Sequence, residues 1–298
     1  MKINMLRLLF VHLIFFSVWV GIAQEKTPFA TYEFSKDQTY LDTLAILQNK
    51  GDSRDNLLTI IKWGIRHKDF ETVIASFNKL VEAGYGTANL HYKLAGAYGI
   101  RIDELTKIKA LPYVNLMKTN FIKAHQLDPL HSPTLEALTR IYAKLPGFLG
   151  GDFEKANKYA QLLFEISPVE GLLAKGFVLE SRGNRDEAIE EYQKAFEKLT
   201  FLTPCNVQKN EVYFKNRTKN LSYQIASLGI EFNLDTSISI CALEYYLDSF
   251  DVYSNLPKEW VYYKLALLHK KQNNNEKVEL NKSLALKINP KFKPALDL

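Results

Sequence analysis

The feature that most restricts how this chain can fold is a spacing of small and large residues that recurs along it. In the clearest copy, Leu172, Gly176 and Leu179 share one face of a predicted helix. After a Gly-Asn turn, Ala188 and Tyr192 share one face of the next helix. Residues three or four apart lie on the same side of an α-helix. The spacing therefore predicts a helical hairpin, in which large residues of the first helix pack against small and aromatic residues of the second.

The same intervals return elsewhere in the chain. Twelve residues separate Gly229 from Cys241 and Ala266 from Val278. A fixed period of about 34 residues is typical of repeat proteins built from helical hairpins. The spacing predicts six units along the chain, the first of them degenerate, near residues 54–87, 89–131, 132–168, 169–204, 222–257 and 258–290.

Over roughly residues 54–290, these units resemble the tetratricopeptide-repeat (TPR) superfamily, in the form found in the bacterial cell envelope. The resemblance implies an all-α fold, a right-handed superhelical solenoid of about six TPR-like hairpins. Its groove, lined by first helices, would receive a protein or peptide. The chain departs from the family pattern because no unit has the consensus tryptophan, and Thr200 and Tyr253 stand where a closing proline is expected. Residues 24–53 would form a leader or cap before a solenoid at 54–298.

The first 23 residues have the features of a secretory signal peptide. Lys2 and Arg7 precede an apolar run at 8–20, and small residues end at Ala23, just before Gln24. That order of basic, apolar and small residues is what signal peptidase cleaves. We expect cleavage after Ala23 and export to the periplasm or the medium. The alternative is an uncleaved anchor, although the run is shorter than the about 20 residues of a spanning helix.

Composition and charge argue against several classes of protein. Hydrophobic residues at 47% and charged residues at 24% are ordinary values for a globular domain. The net charge of +5 comes without a basic stripe interleaved with aromatic residues, so binding to nucleic acid is not expected. No apolar run beyond residue 23 is long enough to span a bilayer, so we expect no transmembrane segment in the mature chain.

The sequence contains no recognisable catalytic or metal-binding motif. Its histidines lack the His-Glu-x-x-His spacing of a zinc site. Gly147, Gly150 and Gly151 lack the Lys-Ser/Thr of a phosphate-binding loop, and we interpret them as a turn. We therefore expect no enzyme activity, no metal and no cofactor. Several histidines or acidic residues converging in one cleft would reverse that expectation.

The two cysteines, Cys205 and Cys241, would meet an oxidising compartment after export. Cys241 occupies a position where the repeat requires a small buried residue. We interpret it as a free core thiol, and a bridge to Cys205 is the alternative.

Two units are longer than the repeat requires. Gly96 and Met117 are 21 residues apart instead of twelve, and the third unit has additional residues between its helices. Equivalent connections of a solenoid project from one edge. We therefore expect residues 100–115 and 145–151 to be neighbours.

The second of these segments carries two large apolar residues, Phe148 and Leu149. Their Leu-Pro-Gly-Phe-Leu-Gly-Gly-Asp run looks like one found in bacterial envelope repeat proteins, including relatives of periplasmic subunits that accompany some transporters. We expect these residues to contact a partner from the tip of the edge. In the alternative, Phe148 folds back and covers the end of the hairpin.

Further partner-binding positions follow from the register of the first helices. The positions expected on the groove side mix basic, acidic and aromatic residues, and they are Lys62, Lys93, Arg140, Phe177, Glu180, Ile230 and Tyr263. Recognition of a terminal carboxylate by a Lys-Asn clamp is not expected, because Ala97 stands four residues after Lys93.

The sequence therefore predicts an exported TPR adaptor or scaffold that mediates protein-protein or protein-peptide interactions in the cell envelope. The alternative is a periplasmic protein that binds a small molecule or docks to a transporter. A deeply buried polar pocket would favour the alternative, and a shallow continuous groove would favour peptide binding.

Overall fold

A computed structural model of the chain describes residues 38–202, 219–250, 254 and 256–298. Every regular element in these ranges is a helix, which confirms the predicted all-α class. The helices belong to two compact units, one ending at Ala195 and one beginning at Phe196. The predicted signal peptide lies outside the described residues, as does the leader up to residue 37.

Each helix of the first unit packs against the next one along the chain as far as α8. Helix α6 also contacts α8, and this contact between alternate helices positions the site described below. A short 3-10 turn, Gly147–Leu149, connects α6 to α7. The helices that begin in this unit are α1 Gln38–Asn49, α2 Arg54–Arg66, α3 Phe70–Glu82, α4 Ala88–Glu104, α5 Lys107–Leu127, α6 Ser132–Lys144, α7 Phe153–Ile166, α8 Pro168–Arg182 and α9 Arg185–Leu202.

Within the second unit, each described helix also packs against the next one along the chain. Trp260, Tyr263 and Phe292 form an aromatic cluster near its C-terminal end, with ring centroids 5.0 to 6.1 Å apart. The described helices of this unit are α10 Lys219–Glu231, α11 Thr236–Asp248, α12 Lys258–Lys271, α13 Asn275–Ile288 and α14 Lys293–Leu296.

Several helices begin at a residue whose side chain accepts a hydrogen bond from the first turn. Ser53, Asp69, Thr87 and Asp235 do so at the N-termini of α2, α3, α4 and α11. The first four N–H groups of a helix have no partner within it, so such caps determine where a helix starts.

The packing of α8 against α9 depends on a residue without a side chain. A Cβ atom at Gly176 would lie 2.4 Å from a ring carbon of Tyr192, so only glycine allows the ring to approach α8 this closely. Tyr192 is 1% exposed, and its hydroxyl donates to Glu180 at 2.8 Å. The small and aromatic positions of the clearest predicted hairpin are thus in direct contact.

The long interval between Gly96 and Met117 is filled by helix. Helix α4 continues to Glu104 and α5 begins at Lys107, so only two residues separate them. The additional residues of this unit therefore lengthen both helices instead of forming a long loop.

The additional residues of the next unit do form a connection. Gly150 has a φ of 87°, a left-handed conformation that suits glycine. Lys118 of α5 donates through Nζ to the carbonyl oxygen of Leu149 at 2.9 Å. The α6–α7 connection therefore contacts α5, close to the segment expected to be its neighbour.

Cys241 lies on α11 and is buried, as the repeat spacing predicts, with 8% of its surface exposed. It forms a disulfide bond, so its interpretation as a free thiol is wrong. Side-chain spacing indicates the size of the residue that fits at a position and not its oxidation state. Cys205, the only other cysteine in the sequence, lies outside the described residues, as does Tyr253.

Candidate functional site

A group of charged and aromatic side chains, three of them predicted for the groove, lies where α6 contacts α8. Its members are Glu136, Arg140 and Lys144 of α6 with Phe177 and Glu180 of α8, and we refer to them as the Arg140 cluster.

The three members from α6 follow one another at intervals of four residues, which places them on one side of the helix. Arg140 donates to the same oxygen of Glu136 through Nε and Nη2, each at 3.0 Å. The side chains of Arg140 and Glu136 are 9% and 25% exposed. A charge this far from water requires a partner, and Glu136 supplies it to Arg140 within the same helix.

Phe177 lies against both cations of α6. The guanidinium carbon of Arg140 is 4.4 Å from the centre of the ring, and the ammonium nitrogen of Lys144 is 5.0 Å from it. A cation over an aromatic face is attracted by the negative charge of the π-system. The ring thus holds Arg140 and Lys144 side by side.

Lys144 differs from Arg140 in its charged contacts. Within the described part of the chain, no carboxylate lies within ion-pair distance of its ammonium group. Burial lowers the pKa of Lys144, the charge of Glu180 opposes this change, and the charge of Arg140 adds to it. Glu180 instead accepts a hydrogen bond from the hydroxyl of Tyr192. Lys144 is therefore a half-buried ammonium suited to a carboxylate from outside the chain.

Helix α4 contributes Tyr92 to the edge of the Arg140 cluster. Burial raises the pKa of the Tyr92 phenol, the negative charge of Glu136 raises it further, and Arg140 opposes both. The ring meets Phe121 and His131 edge-on at 5.7 and 5.5 Å. Tyr92 is therefore half-buried among aromatic rings, and the charges of Glu136 and Arg140 act on its phenol.

The structure brings together only some of the residues predicted for the groove. Arg140, Phe177 and Glu180 belong to one cluster, but Lys93 lies on the exposed side of α4, one position from Tyr92. Tyr263 belongs to the second unit, where its ring packs edge-on against Trp260 and Phe292.

Two other predicted positions belong to helices other than α6 and α8. Lys62 is exposed on α2, and Ile230 is half-buried on α10 in the second unit.

Reasoning from the sequence missed Glu136, Lys144 and Tyr92. A signal for the first two was present, because each is four residues from Arg140 on a predicted helix. No comparable signal marked Tyr92. Tyr92 and Lys93 are adjacent, and a small rotation of the helix about its axis decides which of them faces inward.

Phe148 and Leu149 point in different directions from the 3-10 turn. Phe148 is 78% exposed, whereas Leu149 is half-buried and packs on the core of the first unit. The alternative in which Phe148 folds back over the hairpin is therefore wrong, and Leu149 packs inward in its place. Successive side chains of a 3-10 turn are about 120° apart, so both residues cannot face the core.

Two features of the described residues bear on chemistry and on membranes. In these ranges, no group of three or more His, Cys, Asp or Glu side chains is arranged to hold a metal ion. None of their helices combines the length and the apolar content needed to cross a bilayer.

Comparison of the chain with protein-family models and with curated proteins gave no match.

Proposed function

We propose that this chain is an exported adaptor or scaffold protein of the TPR superfamily that binds segments of other proteins in the cell envelope. In this proposal residues 1–23 are a signal peptide, and the helices form a right-handed solenoid of about six hairpins. The chain is not an enzyme. The recurrent spacing of the sequence and the contact of Gly176 with Tyr192 support the assignment.

The observation that carries the proposal is Lys144, held beside Arg140 over the ring of Phe177 without a carboxylate partner among the described residues. A partner carboxylate that approached Lys144 would form a charge-assisted hydrogen bond in a site already shielded from much of the water. The preferred ligand is a peptide segment with an internal Asp or Glu, since Ala97 removes the asparagine of a terminal-carboxylate clamp.

A peptide-display selection with the full chain tests this function. We expect the selected peptides to share an acidic residue at one position. The substitution Lys144→Gln should weaken their binding by about tenfold to a hundredfold, the usual contribution of a hydrogen bond to a charged group. Lys123→Gln, an exposed lysine on α5, is the matched control and should leave the affinity unchanged.

Two outcomes would reject peptide binding at this site. One is a set of selected peptides that binds the Lys144→Gln variant as tightly as the parent chain. The other is a selection without enriched peptides, together with a small molecule retained by the purified protein in native mass spectrometry. That result would support the periplasmic small-molecule-binding alternative.

A further inference from the structure

Helix α5 carries an exposed surface that the Arg140 cluster does not use. Between Lys107 and Leu127 the helix has four lysines and no acidic residue. Ile108 is 83% exposed, and Leu111 and Leu116 are 40% and 43% exposed. Lys107 and Lys109 are exposed on either side of Ile108. We call these five residues, Lys107, Ile108, Lys109, Leu111 and Leu116, the α5 face.

The α5 face leads to Phe148. Ile108, Leu111, Asn115 and Lys118 follow one another at intervals of three and four residues, which is one side of a helix. At 1.5 Å per residue this row is about 15 Å long. Lys118 at its end holds the carbonyl oxygen of Leu149, the residue next to Phe148. Phe148 is 78% exposed, so Ile108 and Leu111 at one end of the row and Phe148 near the other end present apolar side chains to water.

We propose that the α5 face and Phe148 dock the protein on an anionic lipid surface. The apolar side chains would enter the interfacial region of the bilayer, and Lys107 and Lys109 would lie among the lipid phosphates. This docking does not depend on peptide binding at the Arg140 cluster.

The pattern of charge and exposure supports a lipid occupant. Lysines are attracted to anionic headgroups, and exposed apolar side chains beside them can enter the interfacial region of the bilayer. Helix α5 has no acidic residue, so none of its side chains would be repelled by anionic headgroups. The nearest acidic residues before it in sequence are Asp103 and Glu104 of α4, and Glu104 pairs with Arg101 at 2.8 Å. Ile108 and Phe148 each protrude almost fully, as insertion into lipid requires, whereas residues of a preformed protein groove are usually recessed.

A local fluorescence probe tests the docking in the full chain. Ile108→Trp places an indole on the α5 face, and Leu280→Trp places one at an exposed apolar position of α13 in the second unit. The sequence has three native tryptophans, one of them in the proposed signal peptide, so each signal is measured as the difference from the parent protein prepared in the same form. With vesicles of brominated phosphatidylcholine and phosphatidylglycerol, we expect the probe at 108 to be quenched and the probe at 280 to stay unquenched. Vesicles of brominated phosphatidylcholine alone should quench the probe at 108 much less.

A charge variant tests the role of the lysines. Adding Lys107→Gln and Lys109→Gln to the 108 probe should weaken its vesicle partitioning by about 25-fold, because each lysine near an anionic surface contributes about fivefold. Lys277→Gln with Lys287→Gln, both exposed on α13, is the control and should change it little. Circular dichroism should show the same helix content in all variants.

The proposal is overturned by equal quenching at 108 and 280, or by partitioning that the α5 lysines do not affect. It is also overturned if vesicles do not quench the tryptophan at 108 but envelope proteins bury it, since the α5 face would then bind a protein. None of these results depends on Lys144, so lipid docking can fail while peptide binding holds.

Discussion

At the scale of single residues, Gly176 is the position where one added carbon atom should have a large effect on the fold. The Cβ of Gly176→Ala would meet the ring of Tyr192, which is fully enclosed and cannot move without disturbing its hydrogen bond to Glu180. Overpacking of this kind costs about 1–3 kcal/mol, and the better helix propensity of alanine returns about 0.5–1 kcal/mol. We expect the free energy of unfolding to fall by about 1–2 kcal/mol in a urea titration.

Gly147→Ala is the matched control for this substitution. Gly147 has no positive φ, and no atom lies within 4 Å of an added Cβ. Its unfolding free energy should stay within about 0.5 kcal/mol of the parent chain. Equal stability of the Gly176→Ala and Gly147→Ala variants would show that the ring of Tyr192 does not need the space at Gly176.

Residue spacing predicted part of the candidate site, and the reason lies in helix geometry. Arg140 and Phe177 occupy corresponding positions of two predicted first helices, so we expect them on one surface. The structure places the guanidinium carbon of Arg140 4.4 Å from the centre of the Phe177 ring. Lys93 follows the same register, yet Lys93 is exposed and Tyr92, one position before it, is the residue on which the charges of Glu136 and Arg140 act. Adjacent helix residues differ by about 100° in direction, so a small rotation of α4 exchanges one for the other. Spacing in the sequence cannot resolve that rotation.

At the scale of helices, Asp235 should determine where α11 starts. Its carboxylate accepts hydrogen bonds from the N–H groups of Ser237 at 2.8 Å and Ile238 at 3.0 Å. Asp235→Ala leaves both donors without that acceptor, so we expect a loss of about 0.5–2 kcal/mol in unfolding free energy. Chemical denaturation followed by circular dichroism at 222 nm, the standard helix signal, would measure it.

Replacement of Asp235 by another capping residue separates the cap from the charge. Asp235→Ser keeps an oxygen acceptor and should retain most of the stability. If the serine variant is as unstable as the alanine variant, the hydrogen bonds to Ser237 and Ile238 are not the source of the stabilisation.

Helix boundaries were predicted less well than helix faces. The 21-residue interval from Gly96 to Met117 exceeds the repeat, and from the sequence we interpret residues 100–115 as a connection between helices. The structure lengthens α4 and α5, even though Pro112 lies inside α5. The spacing of apolar residues indicates which side of a helix is buried. Few residues at the start of α5 are buried, so the spacing gives little information there. The α5 face was missed for the same reason.

At the scale of the whole molecule, the disulfide bond of Cys241 limits how the chain can unfold. The sequence offers Cys205 as the only partner within the chain. We expect a monomer on non-reducing electrophoresis, and mass spectrometry of an unreduced digest should find the peptides of the two cysteines linked. Reduction should lower the unfolding free energy by about 2–4 kcal/mol. A disulfide-linked dimer would contradict an intrachain bond.

Protonation is a second property that acts on the whole folding equilibrium. Burial lowers the pKa of His269, the charge of Lys277 lowers it further, and a hydrogen bond with Gln272 opposes both. In the unfolded chain a histidine titrates at about 6.5. As the pH falls through that value, the unfolded state binds the proton first, so acid reduces the unfolding free energy.

The test compares His269→Gln with the parent chain, because the total pH dependence has contributions of both signs. Burial raises the pKa of Glu244 and Glu259 in the same unit, so their protonation stabilises the folded state as the pH falls. Both proteins share those carboxyl groups, which therefore cancel in the difference. Glutamine does not titrate, so the stability lost through the substitution should be largest above the unfolded pKa and should shrink as the pH falls below it. Urea titrations on both sides of that pKa measure the two differences. A loss that stays constant or grows on acidification would mean that His269 becomes protonated as readily in the folded chain as in the unfolded one.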